Sequence, residues 1–253
     1  MEERDARRRR GGGNSLHITV IVALMLLAVI LGLSVFFKVS RIEVEGVSMY
    51  SPDEVVEVSG LETGQSMFFL GESSSAVKIK NALAYVDEVR ISRRMPDTVT
   101  ITVTESYPIA AVEYAGSLWI IDKNAKILEK TDVSKKPGHI EILGIEPIMP
   151  AVGDTLSLGE SGAVQLTYLK AVLSGLTDAD IYREVSWLDV TNVSAVTFFY
   201  DNRFTVNMGK GEFVSDKLWL LGKMIEQHPG REKASIDLTE VNEEVKKGHY
   251  IGK

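Results

Sequence analysis

The sequence contains no cysteine. A chain without thiols can hold neither a disulfide nor a cysteine-ligated metal, and thiol catalysis is closed to it, so any extracytoplasmic part must be stabilised by its own core. Histidine is nearly as sparse. His17, His139, His228 and His249 stand apart, with no pair at the i, i+4 spacing on which a zinc site could be built. Gly209-Lys210-Gly211 and Gly222-Lys223 lack the earlier glycine and following Ser or Thr of a phosphate loop, and read as a strand-to-helix turn and a helix surface. No spacing sets a nucleophile beside a base or singles out two carboxylates, which points away from an enzyme and leaves no cofactor to expect. A basic excess is missing too. Residues 1–16 carry five Arg against Glu2, Glu3 and Asp5, a net of +2, and since the whole chain is −7 the remainder is −9. So acidic a surface lacks the Lys and Arg that phosphate contacts need, which argues against nucleic acid as a partner.

What the chain does have is one long apolar run. Ile18 to Phe37 carries no charge, and twenty helical residues at about 1.5 Å each span a hydrocarbon layer of roughly 30 Å. A buried core helix is seldom so long and so uniformly apolar. A cleaved signal peptide would have a shorter apolar stretch and a small-x-small exit, whereas this run leaves through Val35-Phe36-Phe37-Lys38. Arg7 to Arg10 lie just before it and only Lys38 and Arg41 just after it. The positive-inside bias therefore predicts a single-pass protein of the plasma membrane, with residues 1–17 as a cytoplasmic tail, 18–37 as the span and the rest outside.

Beyond the span, Ile42 and Val44 alternate with Arg41, Glu43 and Glu45, as in a half-buried strand. Ser51-Pro52-Asp53-Glu54 predicts a helix start: Ser51 as N-cap, Pro52 at the first helical position and Glu54 closing a capping box. Val55 and Val58 supply its apolar face, and Gly60 stops it. A second helix should place Ala76, Ile79 and Leu83 on one stripe. Two strands follow, with Val89 and Ile91, then Val99, Ile101 and Val103, as their apolar positions, and Arg93-Arg94-Met95-Pro96-Asp97 as the turn. Arg93 and Arg94 read as a solvated strand end paired with Asp87 or Glu88 rather than as a partner contact. Met67, Phe68 and Phe69 fit either a core cluster near the membrane or an exposed patch.

The strand-helix-helix-strand-strand order, with Ile42-Glu43-Val44-Glu45-Gly46, Ser59-Gly60-Leu61, Arg94-Met95-Pro96-Asp97-Thr98, Val103-Thr104-Glu105 and Tyr107-Pro108-Ile109-Ala110, resembles the POTRA module in its FtsQ/DivIB cell-division form. The resemblance implies an α+β protein: a single N-terminal transmembrane helix, a POTRA domain (β-α-α-β-β) over 38–106, a mixed α/β "β domain" over 107–240, and a C-terminal tail over 241–253.

In that second domain, short strands are read at Ala110 to Glu113, Leu118 to Ile121 and Lys126 to Glu129, broken by Ala115-Gly116 and Asp122-Lys123-Asn124 turns. Leu166, Leu169, Leu173 and Leu176 mark one helix; Val214, Leu218, Leu221 and Ile225 mark another. Between them come Trp187 to Val190, Ala195 to Tyr200 and Phe204 to Met208, the last two joined at Asp201-Asn202-Arg203 like a hairpin. Ala234 to Leu238 is the final strand read.

By the resemblance the protein is a non-catalytic scaffold of the division septum. It would bind the bitopic proteins FtsL and FtsB/DivIC and coordinate a septal peptidoglycan synthase. Its docking edge would fall on Ile236, Asp237 and Leu238, extended to Thr239, Glu240 and Val241. The Arg and aromatic residue frequent after "I-D-L" in the family are Thr239 and Glu240 here. The alternative is a membrane-anchored POTRA-type chaperone or binding module of a secretion or envelope-assembly system. That reading calls for a β-barrel, and no serial ten-residue alternating segments are present.

Overall fold

A computed structural model describes residues 12–134, 138–230, 232–242 and 247–252. The chain forms two compact units, one reaching to Ile79 and including Glu88–Thr104, the other made of Lys80–Asp87 and the chain from Glu105 onward.

The first unit begins with helix α1 (Gly12–Phe36). Among the described residues its large apolar side chains, Ile18, Ile21, Leu24, Leu27 and Leu31 among them, are exposed. The apolar run continues through positions 33–35, whose side chains lie outside the described residues, as does the tail before Gly12. Among the described residues no helix is long and apolar enough to cross a membrane.

Strand β1 (Arg41–Glu45), helices α2 (Pro52–Ser59) and α3 (Glu72–Ala82), and strands β2 (Val86–Arg94) and β3 (Thr98–Glu105) follow in the expected order. The sheet runs β1-β3-β2, with β1 parallel to β3 and Ile42 and Val44 opposite Val99 and Ile101. Helix α2 starts as its sequence dictates. The Glu54 backbone N–H donates to Ser51 Oγ at 3.2 Å, and Gly60 ends the helix with φ +67°, in the left-handed region. Val55, Leu61, Met67, Ile79, Val99 and Ile101 are buried.

Two expectations need correction. The buried face of α3 is Ser75 and Ile79, with Ala76 only half-buried and Leu83 just past the helix end. Arg93 and Arg94 do not pair with Asp87 or Glu88. Arg93 Nε lies 2.6 Å from Glu72 and Arg94 Nη1 3.1 Å from Glu43, because the turn carries both side chains to neighbouring elements rather than along β2.

In the second unit the strands are β4 (Ala110–Tyr114), β5 (Ser117–Ile121), β6 (Ile127–Asp132), β7 (Ile140–Leu143), β8 (Val185–Asp189), β9 (Val196–Tyr200), β10 (Phe204–Gly209), β11 (Ala234–Asp237) and β12 (His249–Gly252). They form one mixed sheet in the order β12-β11-β10-β9-β8-β7-β4-β5-β6. The β4–β7, β7–β8 and β10–β11 pairs are parallel and the others antiparallel. The β9–β10 hairpin turns at Asp201 and Asn202, both at φ near +50°, as a two-residue turn of the primed type demands.

Helices α4 (Ala163–Asp178) and α5 (Val214–Gln227) pack together over one face of this sheet. Leu169, Leu173, Leu218 and Leu221 meet Ile142, Leu188, Phe198, Val206 and Ile236 in a single core. Ala111, Leu118 and Ile120 form a small separate cluster of buried residues. The Asp122 turn is closed by its own carboxylate, which accepts from Ser106 Oγ and from the backbone N–H groups of Asn124 and Lys126, each at 2.8 Å.

Candidate docking edge

A sheet edge is either blunted or open, and the two ends of the nine-stranded sheet differ in this respect. At the β6 end the β5–β6 register shifts at Ile120/Ile121, Lys126 forms an isolated bridge with Thr155, and the Lys130 ammonium lies 4.9 Å from the centre of the Trp119 ring. A bulge, a covering segment and lysines are three known ways of blunting an edge. At the other end lies β12, whose four residues include no Lys, Asp, Glu or Pro.

The six positions picked from the sequence sit one strand in from that end. Ile236 and Leu238 are fully buried and Val241 nearly so, all three in the core beneath α4 and α5. Asp237 is half-buried, and its Oδ1 accepts from the backbone N–H and the hydroxyl of Thr239 at 2.9 and 2.6 Å, closing a turn after β11. Thr239 and Glu240 are exposed. Strand β11 is flanked on both sides, by β10 in parallel and by β12 in antiparallel, so its own backbone is not a free edge. The sequence reading ends the sheet at β11 and leaves 241–253 as a tail. The structure adds β12 within it.

Why β12 docks there follows from its contacts. Tyr250 stands opposite Ile236 and turns its ring into the core side, where it stacks on His228 with centroids 3.8 Å apart and planes 9° from parallel. His228 ends α5, its Nδ1 2.9 Å from the Met224 carbonyl oxygen, and Arg203 donates to the His228 carbonyl at 3.3 Å. The guanidinium of Arg203 also lies over the Phe204 ring. The end of α5, the start of β10 and β12 are thus tied together. On the other face His249 Nε2 lies 3.3 Å from Glu240, a surface pair of small energetic value. Ile251 is 56 % exposed.

The Gly209-Lys210-Gly211 turn has the polarity opposite to a phosphate cradle. Lys217 on α5 donates from Nζ to the carbonyl oxygens of Met208 and Lys210 at 2.6 and 2.8 Å, so the turn offers acceptors to a buried ammonium. Burial holds the Lys217 pKa below the usual lysine value, with the Glu212 carboxylate acting in the opposite sense. The spacing 214, 217, 218, 221 already puts Lys217 on the apolar stripe of α5, a signal that a reading by residue type alone passes over. Among the described residues no group of three or more His, Cys, Asp or Glu could hold a metal ion.

Residues 37–106 match the family model of the FtsQ-type POTRA domain. Over 183 residues the chain is 28 % identical to the cell division protein FtsQ of Corynebacterium glutamicum, covering 66 % of this chain and 81 % of that one. It is 25 % identical to the cell division protein DivIB of Clostridium botulinum strain Hall, covering 79 % and 77 %. It is also 25 % identical to the FtsQ of Streptomyces venezuelae, covering 89 % and 82 %. The strand-helix-helix-strand-strand unit agrees with the FtsQ-type POTRA match, and over most of its length the chain is similar to cell division proteins named FtsQ and DivIB.

Proposed function

We propose that this protein is a non-catalytic, membrane-anchored scaffold of the division septum, one that docks single-span partners of the FtsL and FtsB/DivIC type by strand addition and so coordinates septal peptidoglycan synthesis. The observation that carries the proposal is the contrast between the two sheet ends, β6 blunted and β12 unpaired on its outer side among the described residues, in a chain similar to cell division proteins. Strand addition draws its affinity from main-chain hydrogen bonds and its specificity from alternate side chains. It needs no catalytic constellation, and the sequence offers none. Positions 236–241 act from behind: Ile236, Leu238 and Val241 hold β12 against the core, while Asp237, Thr239 and Glu240 shape the turn that a partner would meet.

The layout that suits this role is a cytoplasmic tail over 1–17, a span over 18–37, a POTRA domain over 38–106 and a β domain from 107 that takes in β12. The wholly exposed apolar surface of α1 supports the span, since side chains of that kind gain nothing from facing water. With the Arg cluster on its N-terminal side, both folded units lie outside the plasma membrane.

Co-purification of the full chain with the FtsL and FtsB/DivIC pair tests the proposal. Deleting residues 249–253, or the substitution Ile251→Asp, should reduce recovery of the pair at least about tenfold, the equivalent of about 1.4 kcal/mol. Thr131→Asp on β6 should leave recovery unchanged. Full recovery with the deleted chain would remove β12 from the account.

A further inference from the structure

The loop between α2 and α3 plays no part in the C-terminal edge, yet it exposes two large apolar rings. Met67 is fully buried, Phe68 is half exposed and the Phe69 side chain is 90 % exposed. These rings are not isolated. Phe36, at the end of α1 and itself exposed, stands edge-on to Phe37 with centroids 5.3 Å apart, and Phe37 contacts Phe68 at the same distance. Exposed apolar rings therefore continue from the end of α1 into the loop.

Backbone hydrogen bonds fix that continuity. The Met67 N–H donates to the Phe37 carbonyl at 3.0 Å, the Val39 N–H to Gln65 at 2.9 Å and the Gly64 N–H to Val39 at 2.7 Å. A segment paired in this way stays about 5 Å from the chain leaving the helix. From the other side Arg93 bonds to Glu72 and to the carbonyls of Phe68 and Leu70. Gln65, Ser66 and Lys78 surround Phe69, polar groups of the kind that face lipid headgroups.

We propose that Phe69, together with Phe68, enters the interfacial layer of the lipid bilayer beside the end of α1, giving the first unit a second membrane contact. The proposal rests on the reading of α1 as a span. Apolar rings rigidly held next to the point where a helix leaves the hydrocarbon reach the headgroup and acyl boundary without any rearrangement, and transfer there removes their surface from water. Two contacts, helix end and loop, also limit how far the strands and helices after α1 can swing away from the membrane.

The test uses the full chain reconstituted into vesicles of phosphatidylethanolamine and phosphatidylglycerol, with the photoreactive analogue p-benzoylphenylalanine in place of Leu27, Phe69 or Glu160. The analogue keeps an aromatic ring at position 69, where the side chain supports no core. Leu27 reports the span, and Glu160, on an exposed turn, measures chance collision. Lipid adducts well above the Glu160 level are expected from both Leu27 and Phe69. Adducts from Leu27 alone would place the loop in water and overturn the proposal while leaving the span intact. Adducts from neither would overturn the span and the proposal together.

Discussion

Lys217 shows how one side chain can hold a turn that the sequence leaves ambiguous. Its ammonium is buried and donates to the Met208 and Lys210 carbonyls. Lys217→Met keeps the stem and removes the donor, leaving both acceptors without it, and should cost about 1–3 kcal/mol in urea unfolding at neutral pH. A pH series separates the charge from the hydrogen bonds. Because burial lowers the folded-state pKa, the unfolded chain binds the proton more tightly in the interval below the unfolded lysine value of about 10.4. Stability therefore rises with pH through that interval, having been smallest where the buried ammonium stays protonated. Lys126 is shifted in the same direction by burial, against the pull of Asp122. The Lys217→Met chain should keep the Lys126 part of the rise and lose the rest; an identical rise in both chains would contradict this account of Lys217. At this scale the sequence was informative wherever a residue's role is local. Ser51, Gly60 and Asp122 do what their types suggest, because caps and turns are decided within a few residues. Arg93 and Arg94 find partners on distant elements, and sequence distance carries no information about those.

Among the elements, legibility follows length and periodicity. Helices α4 and α5 and the β9–β10 hairpin announce themselves through leucine spacing and the Asp201-Asn202 turn. Strand β7, with only Ile140 and Ile142 as inward positions, is too short to stand out from its flanking loops. Strand β12 has no alternating pattern at all, and becomes a strand because β11 and the His228 ring provide a surface for it. That is why the sequence shows β11 as the last strand and gives no sign of β12 beyond it. Gly248 is the hinge of this arrangement. A Cβ there would lie 2.7 Å from Met224 Sδ, 2.9 Å from Leu238 Cδ2 and 3.3 Å from the Asp237 carbonyl oxygen, so it would displace two side-chain ends and crowd the backbone of β11. Gly248→Ala should speed amide exchange at 249–252 and leave β8 to β10 as protected as before. Unchanged exchange at 249–252 would mean that β12 is not held by this close approach.

Over the whole molecule, the distribution of charge and apolar surface favours a presenting role. The chain is acidic beyond its N-terminal arginines, its first unit carries an apolar helix, and the sheet of its second unit ends on β12. The β6 edge is blunted, whereas among the described residues no further strand pairs with β12 at the other end of the large sheet. The most direct measurement is hydrogen–deuterium exchange on the full chain in lipid nanodiscs, with and without the FtsL and FtsB/DivIC pair. The pair should slow exchange at 249–252 and around 236–241, with the β6 edge at 127–132 unchanged. Slowing confined to 127–132 or to the first unit, with 249–252 exchanging as in the free chain, would contradict strand addition at β12.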